Sequence, residues 1–237
     1  MLEIQNLTLG YGKNILLRNI SAQASPGELI VIAGRNGSGK STLIRAMTGL
    51  QKPLAGRILT DGLDIGSLPR ETAARKVSIV NTDRVRIPWL KCRDLVALGR
   101  APWTGWTGRL SDRDEEAVSE ALESTGMTDF AMRSMDSMSD GECQRIMIAR
   151  ALAQDTPLMV LDEPTAFLDL PGRHQITELL ARLAAEKGKT VIFSTHDIGI
   201  ALQRADRFWI LDRDGLIVRN AAEAAPDIME IFGIQEI

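Results

Sequence analysis

The sequence predicts an α/β fold built on a mostly parallel sheet, and three observations predict it. Short uninterrupted apolar runs occur at Glu28–Ala33, Val77–Val80, Leu158–Leu161, Thr190–Phe193 and Phe208–Leu211. Such runs suit strands buried on both faces. Helical spacings alternate with them, at Leu43, Ile44, Met47 and Leu50 and again at Ile176, Leu179, Leu180 and Leu183. Between about residues 85 and 155 the strand runs stop, and helical segments follow at Arg93–Gly99, Asp112–Ser124 and Glu142–Gln154. Alternation of strand and helix predicts a doubly wound core. The interruption predicts a helical lobe inserted into it.

The elements follow in order. The first 25 residues alternate loosely, with turn signals at Gly10–Gly12, and predict an antiparallel sheet beside the core. Residues 1–84 and 156–237 then form the α/β core with its β subdomain, residues 85–155 the helical subdomain, and the whole chain one domain. Ser111 is a good N-cap for the second lobe helix, with acidic residues in its first turn where the helix dipole favours them. A short helix is expected around Asp227–Phe232.

Composition sets limits. With 237 residues, 44% hydrophobic and 25% charged, the chain can bury a sizeable core. Its net charge of -3 argues against a general nucleic-acid binder. Cys92 and Cys143 lack a metal-ligand spacing and read as reduced thiols. No stretch approaches the roughly 20 apolar residues of a spanning helix, and Met1–Gln5 carries no secretory signal. A role at a membrane is therefore expected from the cytoplasmic side, through a partner.

Gly34-Arg35-Asn36-Gly37-Ser38-Gly39-Lys40-Ser41 matches GxxxxGK[ST] between the first apolar run and a helix. That context identifies a phosphate-binding loop. Glycines let the backbone turn its N–H groups inward, and the following helix, through Thr42, presents its positive end. Lys40 is placed to reach the β/γ-phosphates and Ser41 to ligate Mg²⁺ on bound ATP. A second run, Leu158–Leu161, ends in Asp162 and Glu163, at a strand end where ligands gather in open α/β sheets. Asp162 is expected to hold the Mg²⁺, and Glu163 to polarise the attacking water. His196 follows a third run. It reads either as a satisfied polar residue or as a sensor of the γ-phosphate, and the shared strand-end setting with Gly34 and Asp162 favours the sensor. His174 has no such setting.

Taken together, these residues resemble the ATP-binding subunits of ABC transporters over essentially the whole chain. Tyr11-Gly12 resembles the loop whose aromatic ring stacks on adenine. Met138-Ser139-Asp140-Gly141-Glu142 resembles the signature loop, usually Leu-Ser-Gly-Gly-Gln. Phe167-Leu168-Asp169 resembles the loop crossing between two nucleotide sites, and Ser194-Thr195-His196-Asp197 the switch-histidine region. The resemblance implies a P-loop NTPase (RecA-like) core. It also implies a symmetric dimer of two copies, with Ser139, Gly141 and Asp169 completing the partner's nucleotide site. Without it, Ser139 reads as an ordinary helix N-cap.

Two departures from the family pattern stand out. Asp140 and Glu142 replace a glycine and a glutamine, and extra carboxylates near a triphosphate repel it unless they point away, with Asp140 spent on capping the helix. Thr82 stands where the family carries a glutamine that touches Mg²⁺ and the membrane partner, and its shorter hydroxyl makes metal contact doubtful. The segment Leu98–Ser111, with Trp103 and Trp106 among glycines, resembles ATPases of iron-siderophore, haem and cobalamin importers. The rings, joined by Trp89, either dock a partner or pack the lobe. The implied partners are membrane permease subunits and, indirectly, a substrate-binding protein, with no nucleic acid. A soluble ATPase of the same family is the alternative. A P-loop kinase or small GTPase would lack the Ser139 loop and the His196 switch.

Overall fold

The loosely alternating N-terminal segment forms a hairpin, β1 (Leu2–Tyr11) and β2 (Asn14–Ala24), whose two-residue turn places Gly12 at φ 58°. The computed structural model describes residues 1–83, 86–212 and 215–233. After the hairpin come β3 (Leu29–Gly34), α1 (Lys40–Met47), β4 (Ala55–Thr60), β5 (Leu63–Asp64), α2 (Arg70–Ala74) and β6 (Val77–Val80). Three helices follow, α3 (Cys92–Ala97), α4 (Asp112–Ser124) and α5 (Asp140–Ala153). The chain then runs through β7 (Leu158–Leu161), α6 (Leu170–Lys187), β8 (Thr190–Ser194) and α7 (Ile198–Leu202). It closes with β9 (Arg207–Asp212), β10 (Gly215–Asn220) and α8 (Ala221–Phe232).

Two sheets result. One is antiparallel, in the order β2-β1-β4-β5. The other runs β10-β9-β3-β8-β7-β6 and is parallel except for its edge strand β10. The five apolar runs read from the sequence are its five parallel strands. Each face of this sheet carries its own core. Leu29, Val31 and Ala33 of β3 pack on the helical side, while Ile30 and Ile32 pack toward α1 and the antiparallel sheet. This is the period-two arrangement of a strand buried on both faces. Trp209 on β9 is fully buried.

Among the described residues, everything between β6 and β7 is helix, turn or loop apart from one isolated bridge between Lys91 and Ser134. α4 matches its expected bounds, because Ser111 and Asp114 form a reciprocal capping box at its start. The expected helix at 93–99 begins one residue earlier and tightens into a 3₁₀ turn at Leu98–Arg100. There a side chain at Gly99 would run into the Arg150 carbonyl, so the turn lies directly against α5. The boundary expected at 84/85 falls on residues outside those described. The C-terminal helix is longer than expected, starting at Ala221 despite Pro226 inside it. Full burial of Ala224 and Ile228 offsets the backbone hydrogen bond that Pro226 cannot donate.

The lobe is cross-linked by a buried ion pair. Arg100 Nε donates to Asp114 Oδ1 at 2.8 Å, and Arg100 Nη1 donates to the Ala153 carbonyl at the end of α5 at 2.8 Å. Donation from the Ser111 hydroxyl and amide, and then from Arg100, holds the Asp114 carboxyl down at about 2. Breaking one side of a buried pair leaves an uncompensated charge and costs about 3–5 kcal/mol. Asp114→Ala is expected to destabilise the chain by an amount in that range, measured by urea unfolding. Because the folded carboxyl titrates below its unfolded value, the contribution of Asp114 is present above about pH 4 and is lost as pH falls toward 2. A wild-type acid-unfolding curve superimposable on that of Asp114→Asn would refute this.

Candidate nucleotide site

The site begins where β3 stops at Gly34. Gly37 and Gly39 take φ values of 79° and 100°, left-handed conformations that glycine enters without strain. α1 then starts with no side-chain cap and no acidic residue in its first turn. The first N–H groups of a helix have no partner within the helix, so here they remain donors for an anion. Lys40 is buried and arches back over the loop, its Nζ donating to Gly34 O at 2.8 Å and to Arg35 O at 3.3 Å. Burial pulls its pKa down, against the opposing charges of Glu163 and Asp162. Ser38 Oγ is buried beneath the loop without a hydrogen-bond partner, an orphan suited to a phosphate oxygen. Arg35, Asn36 and Ser41 are exposed at the mouth, and Thr42 is buried.

Tyr11 lies at the end of β1 with its ring half exposed. Its hydroxyl donates to Gln51 Oε1 at 3.0 Å, and Gln51 Nε2 donates to Gly10 O at 3.3 Å. Interaction with Thr42 and then with Arg45 lowers its pKa, against the opposing effect of burial.

Parallel pairing sets the second half of the site. Leu161 pairs with Phe193 and Ile32 with Ser194, so Asp162 and Ser194 stand level with each other beside Ile32 of β3. Asp162 Oδ1 accepts from Ser194 Oγ at 2.7 Å, and Thr82 Oγ1 donates to the Asp162 carbonyl at 2.9 Å. Glu163 takes φ 51°, an uncommon conformation for a residue with a side chain. Its Oε1 lies 2.7 Å from His196 Nε2. The structure therefore brings Lys40, Asp162, Glu163 and His196 to three neighbouring strand ends. His174 is exposed on α6.

Ser139, Gly141 and Asp169 line a different, open groove between α5 and α6. Ser139 caps α5. Its amide and hydroxyl both donate to Glu142 Oε2 at 2.8 Å, and the Glu142 amide returns to Ser139 Oγ at 3.3 Å. The Ser139 amide and hydroxyl hold the Glu142 carboxyl below its usual range. The expected use of Asp140 as the helix cap is corrected here. The cap position belongs to Ser139, and Asp140, one residue on, accepts from Arg86 Nη2 at 2.7 Å. Asp169 caps its own helix, accepting from the Gly172 amide at 3.0 Å.

Several groups around the site were missed in the sequence. Asp197 is held by Arg173 Nη1 at 2.6 Å and Thr165 Oγ1 at 3.0 Å, while Arg173 Nε donates to Leu168 O at 2.8 Å. One guanidinium thus joins the loop before α6 to the loop that carries His196. Ser194 could have been found from strand register; Arg173 and Gln51 carry no local signal. The tryptophans divide. Trp103 donates to Gln154 O at 2.7 Å and stacks with Arg75 and Arg100, so it packs the lobe. Trp89 and Trp106 are 91% and 99% exposed.

Comparison with known proteins agrees with this geometry. The family profile described as ABC transporter matches residues 17–166. The ferric enterobactin transport ATP-binding protein FepC of Escherichia coli K12 is 37% identical, over 98% of this chain and 86% of that protein. The petrobactin import ATP-binding protein FpuD of Bacillus anthracis is 36% identical, over 99% and 87%. Among solved structures, a dimeric post-hydrolysis state of the ATP-binding cassette MJ0796, bound to ADP and Pi, superposes with a TM-score of 0.78. It is 29% identical, over 93% of this chain and 99% of that one. The chain belongs to the ABC transporter family, as an ATP-binding subunit. It is an ATPase whose hydrolysis is coupled to transport.

Lys40→Ala is expected to weaken ATP binding about 100-fold or more, since removing one partner of a charge-assisted contact costs about 3 kcal/mol. Titration with a fluorescent ATP analogue measures this, and near-wild-type affinity would remove Lys40 from the site.

Proposed function

We propose that two copies of this chain act together on the cytoplasmic face of a membrane, hydrolysing ATP to drive an importer for iron chelates of the siderophore kind. The observation that carries the reading is the 2.7 Å contact between Glu163 and His196 at the strand ends facing an uncapped α1. The first-turn N–H groups of α1, the loop from Gly34 to Gly39, and Lys40 hold the β- and γ-phosphates. Tyr11 offers its ring to the adenine. Glu163 takes the proton of the attacking water. The His196 Nε2 that contacts Glu163 is the group assigned to the γ-phosphate when ATP is bound, exchanging one oxygen partner for the other.

Hard oxygen donors are what Mg²⁺ prefers. The Ser41 hydroxyl and Asp162 Oδ2, which has no hydrogen-bond partner among the described residues, fit that preference, while the Thr82 hydroxyl gives its proton to Asp162 O and keeps only its lone pairs for a metal. Among the described residues no group of three or more His, Cys, Asp or Glu could hold a metal by itself, so this set needs phosphate and water oxygens to complete it. When bound, the ion supplies neutralisation of charge that develops on the phosphates.

Ser139, Gly141 and Asp169 line a groove apart from Lys40, which supports their serving the nucleotide of a second copy. The solved cassette MJ0796 is dimeric. In that role Ser139 must release its proton from Glu142, and a carboxylate there offers no N–H in place of the family's glutamine. Residues 85–155 serve as the helical subdomain that meets membrane-spanning permease subunits. The exposed rings of Trp89 and Trp106 suit that contact. No helix among the described residues is long and apolar enough to cross a membrane itself. The iron-chelate cargo is drawn from the names of the relatives FepC and FpuD, and the substrate-binding protein upstream of the permease from the family resemblance alone.

Glu163→Gln is expected to retain ATP, to lose about 10²–10⁴-fold in hydrolysis, and to elute as an ATP-dependent dimer. Unchanged turnover would mean that another group positions the water. Replacing Trp89 and Trp106 with Ala should leave ATP affinity unaltered and reduce co-purification with a multi-spanning permease. Retention of the full complex would exclude the two rings from the contact.

A further inference from the structure

β7 and β8 run side by side until Leu161 and Phe193, and then the two backbones part. The next amide on the β7 side, that of Asp162, is taken by the carbonyl of Val80 on the other neighbour, at 2.8 Å. The Glu163 amide has no such backbone partner. It donates instead to Ser194 Oγ, at 2.9 Å. That hydroxyl has a single proton, which it gives to Asp162 Oδ1 at 2.7 Å. The Ser194 side chain is fully buried, while its partners Asp162 and Glu163 are partly exposed, so the hydroxyl is the shielded end of both bonds.

One side chain thus does two jobs. By accepting from the Glu163 amide it holds the left-handed turn at φ 51°, which sends the Glu163 carboxylate toward His196. By donating to Oδ1 it orients the Asp162 carboxylate and leaves Oδ2 without a hydrogen-bond partner among the described residues. We infer that Ser194 is a positioning residue for hydrolysis, a buried clamp that sets the geometry of both acidic groups through one hydroxyl. This rests on the roles proposed above for Asp162 and Glu163, and adds a residue that touches neither nucleotide nor water.

The clamp predicts a split between binding and turnover. A displacement of about 1 Å in a reacting group can cost on the order of 100-fold in rate, whereas the phosphate loop lies on other elements. Ser194→Ala and Ser194→Cys are compared with wild type and with Glu163→Gln. Cysteine fills the same space with only a weak donor and acceptor, so it separates packing from hydrogen bonding. Both Ser194 variants are expected to lose about 10- to 100-fold in kcat. Affinity for ATP measured in EDTA should stay within about threefold of wild type, while the Mg²⁺ concentration needed for half-maximal nucleotide binding rises. Wild-type kcat and Mg²⁺ dependence in the Cys variant would reduce Ser194 to a space-filling residue and overturn the inference, even if the Ala variant proved too unstable to isolate. Equal losses of ATP affinity with and without Mg²⁺ would overturn it too, by showing general damage. If Glu163→Gln itself turns over normally, the fault lies in the assignment of the water-activating group. If Glu163→Gln is inactive and both Ser194 variants are normal, only the clamp fails.

Discussion

The parallel register of β3, β8 and β7 is the constraint on which the rest of the site depends. Side chains of a buried strand are spoken for, alternately, by the two cores it separates, so a strand cannot slip by one residue without turning its apolar set the wrong way. Here that rule locks Ile32 beside Ser194 and Leu161 beside Phe193. The polar residues immediately beyond the last buried pair are then brought level at one edge. Ser194, Asp162 and Glu163 meet because the apolar residues before them cannot be elsewhere. The chemistry is placed by packing.

Two helix starts in this chain show opposite electrostatic treatments. α1 begins on a left-handed glycine with its donors open and no acid in its first turn, so it suits an anion. α5 begins with a reciprocal cap between Ser139 and Glu142 and carries Asp140 as well, so one of its first-turn amides, that of Glu142, is engaged and its field is opposed. Part of that charge is answered by Arg86 on the segment leading out of β6. The first helix is built to receive phosphate within one chain. The second must exchange its internal hydrogen bonds for external ones, which suits a contact made only when ATP draws a partner in.

Rigidity is distributed in the same spirit. Arg100 and Asp114 tie the ends of the lobe helices together in a buried pair, so that the lobe can move as a unit. Arg173 joins the loop preceding α6 to the loop bearing His196 through Leu168 and Asp197. A shift at either loop is therefore felt by the other. Trp103 belongs to the first kind of tie and Trp106 to neither, although the two stand three residues apart in similar glycine-rich surroundings.

The sequence by itself determined the strands, the phosphate loop and the acidic strand end, because each is a local pattern: an apolar run, a glycine spacing, a carboxylate pair after a buried segment. The helix start at Ser111 was legible for the same reason, since a cap and its partner lie three residues apart, whereas the next helix was expected from Glu142 with Asp140 as cap and in fact starts at Asp140 behind Ser139. Only the tertiary structure decided which strand ends become neighbours, and hence that Ser194 reaches both Asp162 and Glu163 across 32 and 31 positions of chain. It alone assigned Arg86 to Asp140, 54 positions away, and bound Trp103 to Gln154, Arg75 and Arg100 while leaving Trp106 in water. Contacts of that length depend on how elements pack, and no local spacing of residue types encodes them.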